Sequence, residues 1–346
     1  MGITILHSAD WHLDAPFSSF PEEQRQFLRQ QQRLLPGKLA ELARQEGCDL
    51  VLLAGDLFDG NPGRESIEAL KQGLADCGVP VFISPGNHDF VCDTSPWVTE
   101  SWPENVRIFR GGLEAVSLPG LDLKIYGAGY QSMDCPPLLE HFTAEGEERW
   151  KIGLLHADPT GKRSPYCPIT TAQVRGSGLN YLALGHIHKA GFFQAGDTLC
   201  AWPGCPMGRG WDETGERTAY LVTLGQPSRL REIQLDTLRF YDREAELTEL
   251  EDILPGSESA DFYRVTLTGW GKPDLGELYR KFSHLPHLEF RDETMDPDSL
   301  WEGAGEDSLQ GAYFALLKQA AETDPNARLA AEISRKLLAG KEVRLP

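Results

Sequence analysis

Five short segments hold most of the residues able to do chemistry: SADWH (8–12), GDLFD (55–59), GNHD (86–89), LLHAD (154–158) and GHIH (185–188). They supply Asp10, His12, Asp56, Asn87, His156, His186 and His188, a mixed set of carboxylate, amide and imidazole donors. Such a set suits Mn²⁺, Fe²⁺ or Zn²⁺ and serves the oxygen-seeking Ca²⁺ poorly. Seven donors exceed what one ion needs. Two ions roughly 3.5–4 Å apart and sharing one carboxylate would use them all, and such a pair clamps the attacking and leaving oxygens of a phosphoryl displacement. Asp56 is the natural bridge. A lone D-x-H or H-x-H is ordinary surface or core chemistry; five segments in this order, each following a strand-like run, point to metal chemistry.

The elements that must position these residues are apolar runs at 3–6, 50–54, 79–83, 152–155 and 181–184, which read as strands buried on both faces. Between the first two, Phe27, Leu28, Leu34, Leu35, Leu39 and Leu42 recur at helical spacing, with Pro36 and Gly37 expected to break or kink the helix. Between the second and third, Ile67, Leu70, Leu74 and Cys77 share a helical face ended by Gly78. The β-α-β-α-β alternation predicts an open sheet covered by helices, with the five segments converging beyond strand ends at one sheet edge. The two-residue spacing puts Asp10 and His12 on one side, and likewise His186 and His188. Gly55, Gly86 and Gly185 precede ligands where the backbone must crowd the metals or adopt positive φ. Further strands at 123–126, 199–202 and 218–224, with few helices between, predict a second sheet packed on the first.

At 346 residues and 40% hydrophobic content the chain can bury a large core, with one large domain and a smaller one. Near residue 240 the character changes, since residues 242–252 hold six acids, followed by the turn-rich PGSES. The expected domains are 1–238 and 239–346. The second reads as a small α+β unit: strand 262–268, helix 275–282, strand 288–291, then helices 308–322 and 325–339. Asp324 caps the last helix, Pro325 starts it and Gly340 ends it. No apolar stretch approaches the roughly 20 residues of a membrane span, and MGITILHSAD lacks the pattern of a secretory leader, which predicts a cytoplasmic protein without a membrane partner. Seven scattered cysteines with no C-x-x-C pair read as reduced packing thiols. Cys200 and Cys205, the closest pair, are a weak zinc signal. The net charge of −19 argues against a surface that attracts nucleic acid everywhere, although bound divalent ions would make a groove locally positive.

Taken in order, D-x-H, G-D-x-x-D, G-N-H-[DE], a lone His and G-H-x-H resemble the calcineurin-like metallophosphoesterase superfamily. The resemblance implies an α/β fold, a two-sheet sandwich flanked by helices, with a small C-terminal α+β cap. It puts Asp10, His12, Asp56 and His188 on one metal and Asp56, Asn87, His156 and His186 on the other, with Mn²⁺ the first choice and Fe²⁺ or Zn²⁺ the alternatives. The catalytic candidates it names are His88, beside the phosphate as proton donor or charge stabiliser for the leaving oxygen, and Asp89, orienting His88 or the Asn87 loop. Within the superfamily, HSADWHLD, LLAGDLFD, SPGNHDF and GHIHK are similar to SbcD-type DNA double-strand-break repair nucleases, above all a YhaO-like branch with an Asp such as Asp14 after D-x-H-L. WPGCPMGRGWDETGERTAYLV is similar to that family's strand and turn below the site, and the likeness covers about residues 1–235. It implies a DNA exonuclease or endonuclease acting by in-line attack of a metal-bridging hydroxide. The partners it implies are DNA, an SMC-like coiled-coil ATPase subunit and a second copy of the chain. The alternative substrate is a nucleotide, cyclic nucleotide or phosphoprotein, which an acidic surface suits.

Other residues have two readings each. His7 is a supporting partner of the site or a satisfied core histidine, and Asp59 orients a ligand or caps a helix. Lys162, Arg163, Arg175, Lys189, Arg209 and Arg217 touch phosphates or are solvated surface. In the last helix Leu329, Ile333 and Leu337 share a face, with Arg328, Arg335 and Lys336 nearby, and dock a partner's coiled coil or pack in a helical hairpin.

Overall fold

Apolar runs and the polar helical stretches between them set the architecture of the chain, whose computed structural model describes residues 2–160 and 163–340. The strands are β1 (Thr4–Ser8), β2 (Leu50–Leu53), β3 (Val81–Ile83), β4 (Val106–Ile108), β5 (Glu114–Leu118), β6 (Leu123–Gly127), β7 (Trp150–His156) and β8 (Tyr181–Gly185). They continue with β9 (Gly191–Ala195), β10 (Thr198–Trp202), β11 (Thr218–Thr223), β12 (Arg229–Gln234), β13 (Phe240–Glu246), β14 (Phe262–Thr268) and β15 (Leu288–Asp292). Contacts divide the chain into two units, Met1–Phe240 and Tyr241–Pro346.

The first unit holds two six-stranded mixed sheets, ordered β12-β11-β1-β2-β3-β4 and β5-β6-β7-β8-β10-β9. In the first, β1 to β4 run parallel and β11 is antiparallel to β1. In the second, β6, β7, β8 and β10 run parallel, with β5 and β9 antiparallel at the edges. Two expectations are corrected here. The five motif-bearing strands are split, β1, β2 and β3 in one sheet and β7 and β8 in the other, and residues 218–223 join the first sheet. A run apolar on both faces carries no local mark of which neighbours it will have.

Ile5, Leu50, Leu52 and Phe82 from one sheet meet Ile125, Ile152, Leu154, Tyr181 and Ala183 from the other in a single core. The alternate residues Leu155, Leu182 and Leu184 face outward and are covered by Val174, Ile169 and Cys167. Period-two alternation thus buries both faces of β7 and β8. His7 settles as a core residue: its Nδ1 lies 2.6 Å from the Tyr181 hydroxyl, a polar link between the two sheets.

Helices α1 (Glu22–Gln32), α2 (Leu35–Gln45) and α3 (Arg64–Asp76) follow β1 and β2. The expected break falls at Arg33 and Leu34, and Pro36 sits in the first turn of α2, where its missing N–H costs nothing. Helix α3 approaches so closely that a Cβ on Gly73 would lie 2.4 Å from Pro36 Cβ. Short helices α4 (Pro96–Thr99) and α5 (Thr171–Gly176) complete this unit, α5 starting in a Thr170/Gln173 capping box.

The second unit pairs β13, β14 and β15 in one sheet, with β14 and β15 parallel. Its helices are α6 (Leu250–Ile253), α7 (Leu275–Lys281), α8 (Leu309–Ala320) and α9 (Pro325–Leu338). Helix α9 buries Ala327 and Ala331, while Leu329 and Leu337 of the expected apolar face stay exposed. Among the described residues no helix is long and apolar enough to cross a membrane.

Candidate metal centre

The site lies where the ends of strands from the two sheets meet. Asp10 and His12 follow β1, Asp56 follows β2, Asn87 and His88 follow β3, His156 closes β7, and His186 and His188 follow β8. Hydrogen bonds join the sheets here, among them the His186 N–H donating to Asp10 Oδ1 at 2.9 Å and His156 Nδ1 at 2.9 Å from the Ala54 carbonyl. Two glycines of the motifs make room. A Cβ on Gly185 would meet the Ala54 carbonyl oxygen at 2.0 Å, and one on Gly86 would meet Asp56 Oδ1 at 2.2 Å.

Asp10 and His12 are not brought to one side by strand alternation, as their spacing suggested. Both take positive φ, 55° and 47°, as do Asp56 at 50° and His186 at 96°. Left-handed backbone at four such positions stores of the order of 1–3 kcal/mol each, and short polar side chains tolerate it best. The turn is held by the neighbouring loop, with Asp10 N–H donating to Gly55 O at 3.0 Å and His12 N–H to Asp56 O at 2.9 Å. Gln32 of α1 adds a donor to His12 O at 2.8 Å.

The donor atoms form overlapping groups. Asp10, His12 and His188 offer ligand atoms within 4.8 Å of one another, and so do Asp10, Asp56 and His156. Asp56 Oδ2 stands between them, 3.3 Å from His156 Nε2 and 3.8 Å from His12 Nε2. His12 Nε2 and His188 Nε2 are 3.2 Å apart, and Asn87 Oδ1 is 3.0 Å from His156 Nε2. His186 joins none of these close groups among the described residues; its ring centroid lies 5.2 Å from that of His156, with Tyr166 packed on it at 4.7 Å.

The set fits divalent cations. Asp10 and Asp56 are buried, and their ion-pair partners among the described residues are imidazoles. Burial opposes both charges of the Asp56–His156 pair, yet mutual attraction holds the Asp56 carboxyl below its usual range and the His156 imidazole above its own. With His156 Nδ1 committed to Ala54 O, Nε2 is left as a ligand atom, and the Nε2 atoms of His12 and His188 face one point. Two buried carboxylates whose ion-pair partners among the described residues are imidazoles, which give up their protons when they ligate, make a set that a divalent cation stabilises.

His88 is the accessible member, with 41% of its side chain exposed. Its Nδ1 lies 2.7 Å from Asp59 Oδ1, and this hydrogen bond, opposed by partial burial and helped by the Asp56 charge, raises the imidazole pKa. Asp59 thus lies at an imidazole rather than at a helix start, and it also stands 3.5 Å from His12 Nδ1, too far for a good hydrogen bond. Asp89 is hydrogen-bonded to backbone, and among the described residues it forms no close ion pair with an imidazole. Its Oδ1 accepts from Gly86 N–H at 2.7 Å and its Oδ2 from Leu57 N–H at 2.8 Å, which pins the Asn87 loop to the Asp56 loop. Burial and the nearby Asp56 charge push its carboxyl up to about 7.

The profile of the calcineurin-like phosphoesterase family matches residues 3–190, more than half of the chain. The chain belongs to this family. The phosphoesterase is also 34% identical over 237 residues to a Bacillus subtilis (strain 168) protein named uncharacterized metallophosphoesterase YhaO, covering 64% of this chain and 57% of that one. It thus spans little more than half the length of that relative. Among solved structures, a Thermus thermophilus protein, TM-score 0.44 and 15% identical, covers 68% of the phosphoesterase and all of its own chain. A dimetal phosphatase from Danio rerio, also at TM-score 0.44 and 14% identical, covers 67% and 96%.

Of the basic candidates, Arg209 and Arg217 reach the phosphoesterase site: Arg209 Nη2 is 2.9 Å from His188 Nδ1 and Arg217 Nη1 is 3.3 Å from His188 O. Arg163 and Lys189 are exposed, Arg175 belongs to α5, and Lys162 lies outside the described residues. Asp14 accepts from Gly63 N–H and Ser66 Oγ at the start of α3. Glu213, Gln32 and Tyr130, whose ring packs on that of His156, were missed: Gln32 and Tyr130 sit in no motif, and Glu213 sits in the WPGCPMGRGWDETGERTAYLV segment without a role of its own there.

Proposed function

We propose that this phosphoesterase is a two-metal phosphodiesterase that cleaves DNA in the manner of double-strand-break repair nucleases. The observation that carries the chemistry is Asp56 standing between two groups of buried donors, with the exposed His88 beside it. Asp10, His12, Asp56 and His188 would hold one ion and Asp56, Asn87, His156 and His186 the other, with Mn²⁺ the expected metal. A bound ion pair supplies Lewis acidity and neutralises phosphate charge. The chain's own residues do the rest. His88, held through Nδ1 by Asp59, presents its free edge to solvent, where it donates a proton to a leaving alkoxide. Arg209, paired with Glu213, stands near His188.

DNA as substrate rests on the similarity of HSADWHLD, SPGNHDF and GHIHK to the SbcD type. An SMC-like coiled-coil ATPase is the partner we propose, supported by the apolar stripe Leu309, Tyr313 and Leu316 on α8 and by Leu337 and Leu338 on α9, all exposed. Homodimerisation and a cytoplasmic location belong to the same proposal. The test is purified protein with Mn²⁺ on linear duplex DNA, on bis(4-nitrophenyl) phosphate and on mononucleotides. Cleavage of the small diester without cleavage of DNA refutes the substrate and favours the nucleotide alternative. His88→Ala should lower diester turnover by about 10²–10⁴-fold with two ions retained; unchanged turnover refutes its role.

A further inference from the structure

The two donor groups differ in what holds their histidines from behind. His156 is set by a neutral group, its Nδ1 2.9 Å from the Ala54 carbonyl oxygen. His188 is set by a carboxylate, its Nδ1 2.6 Å from Glu213 Oε1. We infer that Glu213 is the positioning residue of His188: it fixes the Nδ1–H tautomer, so that the Nε2 lone pair faces the ion shared with His12. This rests on reading these histidines as ligands and is independent of the substrate.

Arg209 Nη2 also lies near His188 Nδ1, at 2.9 Å. A guanidinium can only donate and an ionised carboxylate can only accept, so the ring nitrogen cannot satisfy both. Were Nδ1 to accept from Arg209, the proton would sit on Nε2, aimed at His12 Nε2 at 3.2 Å, and no lone pair would remain for a cation. The Nδ1 lone pair would then face a carboxylate oxygen at 2.6 Å, electron density against electron density. The shorter contact and the donor inventory select Nδ1–H donating to Oε1.

Arg209 then serves the carboxylate instead. Its backbone N–H donates to Glu213 Oε2 at 2.8 Å and its Nη2 stands 3.4 Å from Oε1, so both oxygens of Glu213 are engaged. The residue is 8% exposed. The local chain is folded to put it there: Glu213 N–H donates to Gly210 O at 3.1 Å, and a Cβ on Gly208 would lie 2.3 Å from the Glu213 carbonyl oxygen. A carboxylate behind an imidazole fixes its orientation and raises its basicity as a ligand, and losing such a partner typically weakens metal binding 10–100-fold.

The test is a calorimetric Mn²⁺ titration of the full chain, with manganese EPR to separate coupled pairs from single ions. Wild-type protein should bind two Mn²⁺. Glu213→Ala should weaken one site by about 10–100-fold and leave the other unchanged, while Glu213→Gln, whose amide oxygen still accepts from Nδ1–H, restores most of the loss. Equal affinities in Glu213→Ala and wild type overturn the inference, as does equal weakening of both sites. Should the alanine variant fail to fold, ¹⁵N spectra of the wild-type imidazoles decide: a His188 Nδ1–H tautomer supports the role, and an Nε2–H tautomer refutes it. A protein that binds two Mn²⁺ yet cuts no DNA removes the substrate reading and leaves this one standing.

Discussion

Adding one methyl group at Gly86 should disable the whole centre. A Cβ there would lie 2.2 Å from Asp56 Oδ1 and 2.8 Å from Asp56 N. Ordinary van der Waals contact begins near 3.4 Å, so the carboxylate must retreat by about 1.2 Å, the difference between 3.4 and 2.2. Metal sites tolerate ligand errors of roughly 0.2 Å, and misplacement by about 1 Å costs on the order of 10²-fold in rate. Because Asp56 stands between both donor groups, Gly86→Ala should weaken both Mn²⁺ sites together and lower phosphodiester turnover by about 100-fold or more. Forcing bulk into a packed loop also costs about 1–3 kcal/mol, or roughly 2–12 °C in melting temperature for a unit of this size. Gly37→Ala is the control: nothing lies within 4 Å of its Cβ, and it sits inside α2. There alanine should stabilise by about 0.5–1 kcal/mol without touching metal binding. Calorimetric Mn²⁺ titration, diester turnover and thermal melts read all three quantities. Wild-type affinity and turnover in Gly86→Ala would refute the placement of Asp56 at the shared position.

Removing metal should lower stability as well as activity. At 100 times the dissociation constant each bound ion adds about 2.7 kcal/mol, so a melt in Mn²⁺ should exceed one in EDTA by several degrees, and identical melts would exclude a built cation site. His7 gives a pH prediction. Burial lowers its pKa to about 3, so the unfolded chain takes up the proton first: this stability is present above pH 6.5 and is lost as pH falls toward 3. Between pH 6.5 and 5 the loss is about 2 kcal/mol. Urea unfolding of wild type and His7→Gln across that range should show a shallower pH slope for the variant, and equal slopes would contradict a neutral buried imidazole.

Much of the site is local information and was legible in the chain itself. Donor types, their order and the apolar run before each are adjacent in sequence, and strand-end delivery of Asp10, Asp56, Asn87, His156 and His186 follows from those runs. Gly86 and Gly185 also announce themselves, because a residue without Cβ beside a ligand usually marks crowding. Tertiary structure decided the rest. Nothing local tells a strand apolar on both faces which neighbours it will pair with, so the division of β1, β2 and β3 from β7 and β8 belongs to the packed sandwich. The approach of Asp10 and His12 depends on left-handed turns stitched to the next loop, not on strand alternation. Asp59 and Asp89 are both acids near His88, and only three-dimensional contacts give the imidazole to the first and the loop pin to the second. Glu213 is hardest to see: it lies 25 residues beyond His188, in a family-like segment that gives no single residue a role, and its carboxylate gains meaning only where the folded chain sets it against the ring.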